Sequence, residues 1–249
     1  MVDDRSNETL FFTTDVKAYY WTEDLFIKRE LCIQQRPIDF ETKQPATLPF
    51  LQERFFHEAN SLRFLAENTA IPVPEVVDVG IDQYGLAFLK TKYAKGTIPA
   101  ERAGEWCSLP SLHKPPNASQ PCSACADVAK ANINSFVDGV VLPELRKQKS
   151  CETGLNGFVI PPRWVMAVDK RKQWKVKTSR SPDFVFVLHD LVQHNLLLSS
   201  DSLEVAMLVD TEESGFFPPE MQQWKFDRIG QGSLYRDKNL VARDLALLS

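Results

Sequence analysis

The stretch His189-Asp190-Leu191-Val192-Gln193-His194-Asn195, answered further on by Asp210 in Leu208-Val209-Asp210-Thr211-Glu212, decides how the rest of this chain is read. It sets out a carboxylate, an amide five positions later and a second carboxylate beyond one short hairpin. That is the minimal oxygen set for handling Mg-ATP, because in phosphoryl transfer a protein positions a hydroxyl and neutralises phosphate charge with magnesium. Asp190 would accept the hydrogen bond of an attacking hydroxyl. Asn195 and Asp210 would supply hard oxygen ligands to Mg²⁺, an ion that keeps several waters and takes few protein ligands. The flanks place these groups. Phe184-Val185-Phe186-Val187-Leu188, Leu196-Leu197-Leu198 and Val205-Ala206-Met207-Leu208-Val209 are short apolar runs of the kind found in buried strands, the last two joined by a polar Ser199-Ser200-Asp201-Ser202 turn. The polar groups therefore fall at strand ends, where a scaffold exposes chemistry. Taken singly, each is also an ordinary turn former or cap; the joint spacing is what argues for a site.

The segment Phe186 to Trp224, with Gly215-Phe216-Phe217-Pro218-Pro219-Glu220 inside it, resembles the catalytic and metal-binding region of the aminoglycoside phosphotransferase-like kinases, in particular their fungal branch. The resemblance implies an α+β, protein-kinase-like, two-lobed fold with a small N-terminal β-rich lobe and a larger, mainly helical C-terminal lobe. It implies ATP and Mg²⁺ as cofactors and a small-molecule hydroxyl as acceptor. By position, Asp190 matches the catalytic base, Asn195 a metal ligand and Asp210 the principal metal ligand, while Glu212 matches an acidic position of the same motif.

The upstream half supplies the other parts such a fold needs, a strand lysine for the α/β-phosphates and a helical glutamate to hold it. Tyr19-Tyr20-Trp21 and Leu25-Phe26-Ile27-Lys28-Arg29 read as two strands around Thr22-Glu23-Asp24, which puts Lys28 on the second. Phe55, Ala59, Leu62, Phe64 and Leu65 recur at helical spacing, so Phe50 to Asn68 reads as an amphipathic helix carrying Glu58. The family match is Lys28 with Glu58, although both residue types usually just solvate a face. Ile71-Pro72-Val73-Pro74-Glu75-Val76 is extended, since alternating prolines forbid a helix. Leu86 to Gly96 then reads as the strand and hinge joining the lobes, with Lys92 and Tyr93 at the nucleotide. Family members usually carry a glutamate where this chain has Lys92, a tolerable change where backbone groups hold the adenine.

Two departures stand out. No glycine precedes Gly80, so no glycine-rich loop lies ahead of Lys28; Thr13-Thr14-Asp15 stands in its place and lacks glycine's close backbone approach to phosphate. His189 directly precedes Asp190, whereas many family members place a histidine one residue earlier. His189 is expected to brace the loop rather than carry a proton, and His194 to be a loop residue.

The expected organisation is one kinase-like domain over 1–249, with lobes 1–93 and 94–249 and an irregular insertion at about 97–125. That insertion holds Cys107, His113, Cys122 and Cys125. Four soft ligands with one Cys-x-x-Cys pair can in principle close a tetrahedral zinc site. The Cys107 to His113 spacing is unusual for one, and the expectation is reduced surface thiols on a mobile loop. Ala124 to Lys147 reads as the first long helix of the second lobe. Gly154 to Arg163 is a turn-rich connection, and the basic run Lys170 to Arg180 is a solvated loop rather than an anionic-ligand patch. Only 54 residues follow Asn195, and Phe226 to Ser249 offers one helix around Leu240 to Leu248, so the acceptor pocket is expected to be small, open or completed by another chain.

At 249 residues, 43% hydrophobic and net charge −4, the chain has the composition of an ordinary globular protein and lacks the basic excess of a general nucleic-acid binder. Its longest apolar run falls far short of the ~20 residues of a membrane span. Met1-Val2-Asp3-Asp4-Arg5 has no secretory pattern. The expectation is a cytoplasmic protein with no nucleic-acid or membrane partner, its five cysteines reduced and its sequons at Asn7 and Asn117 fortuitous. The acceptor and the oligomeric state stay open. The rival reading is a catalytically inactive kinase-like binding protein, favoured by the missing glycine loop and opposed by the intact Asp190, Asn195 and Asp210.

Overall fold

Aromatic and β-branched runs cut by turn residues build the first lobe. In the computed structural model, which describes residues 7–111, 113, 121–224, 226 and 232–249, they form strands β1 (Thr9–Thr13), β2 (Lys17–Trp21), β3 (Leu25–Glu30), β4 (Val76–Ile81) and β5 (Ala87–Lys92). These make one antiparallel sheet in the order β1-β2-β3-β5-β4. Lys28 lies in the central strand, opposite Tyr19 on one side and Leu89 on the other. Helix α1 (Leu51–Asn68) lays Phe55, Ala59 and Leu62 on the sheet against Val16, Ala87 and Leu89. Each large apolar side chain so buried contributes about 1.5–3 kcal/mol. The polar side of α1 is also buried: Arg54, His57, Glu58 and Ser61 are shut off from solvent. A helix covered all round lies between two layers, and the second lobe provides the other layer. His57 Nε2 sits 2.8 Å from the Ser214 carbonyl oxygen, and the Ser214 hydroxyl donates to the Ser61 hydroxyl at 2.7 Å.

The second lobe begins at β6 (Thr97–Pro99), which pairs with β9 (Leu196–Ser199), itself paired with β10 (Val205–Leu208). A second three-stranded sheet joins β7 (Lys149–Ser150), β8 (Phe184–Leu188) and β11 (Ser214–Phe217). Between them runs a helical stretch, α2 (Ser123–Phe136), a π-turn over Val137–Val141, and α3 (Leu142–Lys147). Its buried residues Cys125, Ala129, Ile133, Val137, Val141 and Leu145 recur every fourth position. A four-residue period outruns the 3.6 of an α-helix, and the wider π-turn brings the stripe back over the core. That stripe packs on Phe186, Leu188, Leu196 and Leu198. Helices α4 (Arg163–Val168) and α5 (Lys238–Leu248) meet through Trp164, whose indole N–H donates to Asp244 at 2.9 Å.

The expectation for 97–125 needs correcting. Far from being irregular throughout, the segment opens with a paired strand, and Ala100, Leu109, Cys122 and Cys125 are buried in the main core. The N-terminal Met1 to Arg5, Asn117 and the prolines Pro115 and Pro116 lie outside the described residues. Among the described residues, no helix is long and apolar enough to cross a membrane.

Candidate active site

Two antiparallel pairings bring the distant motif residues together. The β8–β11 register sets Leu188 opposite Ser214, so His189 donates its amide to the Glu213 carbonyl at 2.8 Å. The β9–β10 register sets Leu196 opposite Leu208, and Val209 donates its amide to the Asn195 carbonyl at 2.9 Å. The loops 189–195 and 209–213 therefore lie side by side, and Asp190 and Asp210 line the same narrow crevice between them. Asp210 takes φ +59°, a left-handed conformation that aspartate adopts more readily than most residues.

Lys28 meets the expected Glu58 and also Asp210, expected only as a metal ligand. Its ammonium lies 2.6 and 2.9 Å from the two Glu58 oxygens and 2.8 Å from Asp210 Oδ1. Burial opposes the charge on Lys28, but Asp210 and Glu58 outweigh it and hold its pKa well above the usual lysine value. Glu58, buried on α1, is pushed up to about 7 by desolvation against the pull of Lys28. Burial would raise Asp210 too, yet Lys28 and Lys17 keep it below the usual carboxylate value. Of the two carboxylates on Lys28, only Asp210 reaches solvent appreciably, with 26% of its side chain exposed against 3% for Glu58.

Four further charged residues complete the cluster, and none was singled out from the sequence for this role. Lys17 pairs with Glu212. Arg54, wholly buried, donates to Glu213 at 2.8 Å and Glu212 at 3.2 Å. Arg163 also pairs with Glu213 and lies 3.3 Å from Glu212. Glu212 is held far below its ordinary pKa despite burial, by Lys17 first and then Arg54, Lys28 and Arg163. The available signals were faint: Arg54 precedes Glu58 by one helical turn, Arg163 follows two prolines at the start of α4, and Glu213 adjoins Glu212.

Asp190 is pushed up to about 7 by burial first and Glu213 second, against Arg163. A carboxyl that titrates near neutrality suits proton transfer at physiological pH. Asn195 donates its amide nitrogen to the Asp190 carbonyl at 2.8 Å, tying the two ends of the loop. The His189 ring packs against Phe217 and Trp164, with centroids 4.5 and 5.9 Å apart. Among the described residues neither of its ring nitrogens has a hydrogen-bond partner, and burial drives its pKa down to about 3, so it is a neutral packing element beside Asp190.

A cleft of about 290 Å³ opens above this cluster, lined among others by Thr14, Asp15, Lys17, Tyr19, Arg163, Asp210 and Glu212. In place of a glycine-rich loop there is a tight turn: Thr14 donates its amide to the Lys17 carbonyl at 2.8 Å, and its hydroxyl oxygen accepts the Lys17 amide at 3.2 Å. Lys92 and Tyr93 are not among the cleft-lining residues. Their amides are already engaged, Lys92 with the Glu75 carbonyl at 2.9 Å and Tyr93 with the Asp24 carbonyl at 2.8 Å.

No protein-family model and no curated protein matches the chain. Solved structures do. The aminoglycoside phosphotransferase APH(3'')-Id from Streptomyces rimosus superposes with TM-score 0.52 at 15% identity, over 87% of this chain and 74% of that one. The fold is that of the aminoglycoside phosphotransferases. A variant of the aminoglycoside 2'-phosphotransferase-IIIa in its GDP complex superposes with TM-score 0.50 at 12% identity, over 99% of this chain and 83% of that one. The aminoglycoside phosphotransferase fold is two-lobed here, with the antiparallel sheet β1–β5 as one lobe and the helical region with its two small sheets as the other.

Proposed function

We propose that this chain is a magnesium-dependent phosphotransferase that moves the γ-phosphoryl group of ATP to a hydroxyl of a small molecule, acting as one kinase-like domain with lobes 1–93 and 94–249. The observation that carries the reading is Lys28, clamped between Glu58 and Asp210 in a fold it shares with aminoglycoside phosphotransferases. The neighbour known as a GDP complex supports nucleotide use.

The residues fit such a cofactor. Asp210 offers a hard, partly exposed oxygen of the kind Mg²⁺ selects, beside a strand ammonium and under a cleft near the lower end of ligand-pocket size. Magnesium-bound ATP would supply the activated phosphoryl group. Lys28 would hold the α/β-phosphates, with Glu58 fixing its position. Asp210 and the Asn195 side-chain oxygen would bind the metal, and Asp190 would orient the acceptor hydroxyl and take its proton. At the hinge, with the Lys92 and Tyr93 amides engaged, those residues would contact adenine by packing and by other backbone groups.

A second reading, an inactive kinase-like scaffold, is favoured by the tight Thr14 turn and the absence of glycine ahead of Lys28. ATP turnover in the presence of a panel of small polyols and aminoglycosides separates the two. Acceptor-dependent ADP release, lost in Asp190→Asn with ATP binding retained, supports the transferase. ATP binding without turnover on any acceptor favours the scaffold.

A further inference from the structure

The fold gathers Cys107, His113, Cys122 and Cys125 into one cluster, with one ligand atom from each lying within 4.8 Å of the others. His113 Nε2 is 3.1 Å from Cys122 Sγ and 3.2 Å from Cys125 Sγ, and Cys125 Sγ is 4.0 Å from Cys107 Sγ. We infer that these four side chains bind a structural zinc ion, which clamps the segment after β6 to the N-terminus of α2.

Size is the first argument. Zn–S bonds of about 2.3 Å and a Zn–N bond of about 2.0 Å on a tetrahedron set sulfurs roughly 3.8 Å apart and sulfur and nitrogen roughly 3.5 Å apart. Both sulfur–nitrogen separations and the Cys107–Cys125 separation lie within a few tenths of an ångström of those edges, and the remaining pairs lie within 4.8 Å. Donor type is the second. Three thiolates and an imidazole are soft-to-borderline ligands in the Cys₃His set of closed structural zinc sites, and with all four positions filled by protein no place remains for a reacting water.

The backbone around the cluster is shaped for it. Gly104 adopts φ +91°, and a Cβ there would meet Ala126 Cβ and the Cys122 carbonyl oxygen, both at 2.9 Å. Only glycine lets this strand of chain lie against the start of α2, where Cys122 donates its amide to the Gly104 carbonyl at 2.7 Å. That contact carries Cys107 to the Cys122–Cys125 pair. Cys122 is the residue before the first turn of α2 and Cys125 lies in that turn, so the Cys-x-x-Cys pair sits at the start of the helix. His113 is tied in by its amide, donated to the Leu109 carbonyl at 3.3 Å, while Leu109 is buried in the main core. Two of the three thiols are interior, Cys122 being 6% exposed and Cys125 fully buried, while Cys107 is partly buried. This replaces the expectation of surface thiols on a mobile loop. The clamp lies close to the catalytic loop: Ala100–Arg102, at the start of the same segment, packs against the turn Gln193–Asn195. The inference does not depend on the proposed phosphoryl transfer.

The test uses the full chain, purified without a metal-affinity step and dialysed against zinc and then against zinc-free buffer. The expected result is about one zinc per chain by elemental analysis, retained in His113→Cys and lost in Cys122→Ser. Since a cysteine variant can fail through folding alone, the wild-type chain reloaded with cobalt(II) gives an independent reading. Intense visible bands of a tetrahedral site with thiolate-to-metal charge transfer are expected. Zinc near zero after dialysis, a pale octahedral cobalt spectrum, or an intact mass two hydrogens light from a disulfide would each overturn the proposal.

Discussion

Among the described residues, two largely buried clusters of polar side chains solve the same problem in opposite ways. The cluster around Lys28 is close to self-neutralising: the four cations Lys17, Lys28, Arg54 and Arg163 face five carboxyls, Glu58, Asp190, Asp210, Glu212 and Glu213, of which burial pushes Glu58 and Asp190 up to about 7. Its charges come from β2, β3, α1, α4 and the loops after β8 and β10, so it ties the two lobes together. The cluster at Cys107, His113, Cys122 and Cys125 is local, formed between one segment and the helix that follows it, and its donors take their counter-charge from an ion. Buried ion pairs return little net stability but are costly to break, because the surviving partner is left as an uncompensated charge. A metal clip instead stabilises by closing a loop of chain, with its binding free energy added to that of folding.

The largest effect should come from breaking the self-neutralised cluster at its most buried member. Arg54→Ala leaves Glu212 and Glu213 short of a partner and should cost about 3–5 kcal/mol, read by chemical denaturation. A loss under about 1 kcal/mol would show that the remaining cations suffice and that the network is redundant.

Asp190→Asn comes next and should divide activity from stability. If Asp190 is the base, turnover falls on the order of 10²–10⁴-fold. Its folded pKa lies above the free carboxyl value, so the folded chain binds that proton more tightly. The resulting stabilisation is complete below the unfolded pKa and is lost as pH rises to about 7. At neutral pH the asparagine variant should therefore be the more stable, by on the order of 2 kcal/mol. A variant both inactive and destabilised would mark Asp190 as structural.

In the thiol cluster, Gly104→Ala alters no ligand yet pushes the chain off α2, at a cost of about 1–3 kcal/mol for the strained backbone. It should lose zinc to a chelator faster than the wild-type protein while binding ATP unchanged; unchanged zinc retention would uncouple the glycine from the site. The smallest effect is a pH shift. Turnover should rise through pH ~7 as Asp190 ionises, and Glu213→Gln, by removing a neighbouring negative charge, should move that limb down by up to about one unit. An unmoved limb would assign it to another group, with Glu58 the first candidate.

The sequence made β2, β3, β5, β8, β9 and β10, the long helices and the Lys28–Glu58 contact legible because each rests on local periodicity or on one motif. Lys28 follows from a strand run and Glu58 from a helix face, and the β9–β10 hairpin announces itself through its polar turn. Arg54, Arg163 and Lys17 were not legible as parts of the site. The burial of Lys17 and Arg54 and the approach of the half-exposed Arg163 depend on which face the second lobe covers, and charged residues are ordinarily solvated. Strand β1 carries little burial signal, since all five of its residues are exposed. The thiol cluster shows a different gap. The residue types were visible, but the convergence depends on Gly104 and on the pairing of β6 with β9, neither of which leaves a periodic mark.

The most direct test of the nucleotide site is calorimetric titration of the purified chain with ATP, with and without Mg²⁺, beside Asp210→Ala. The account predicts binding that strengthens with magnesium in the wild-type protein and loses that dependence in the variant. Binding indifferent to magnesium, or equal in both proteins, would contradict it.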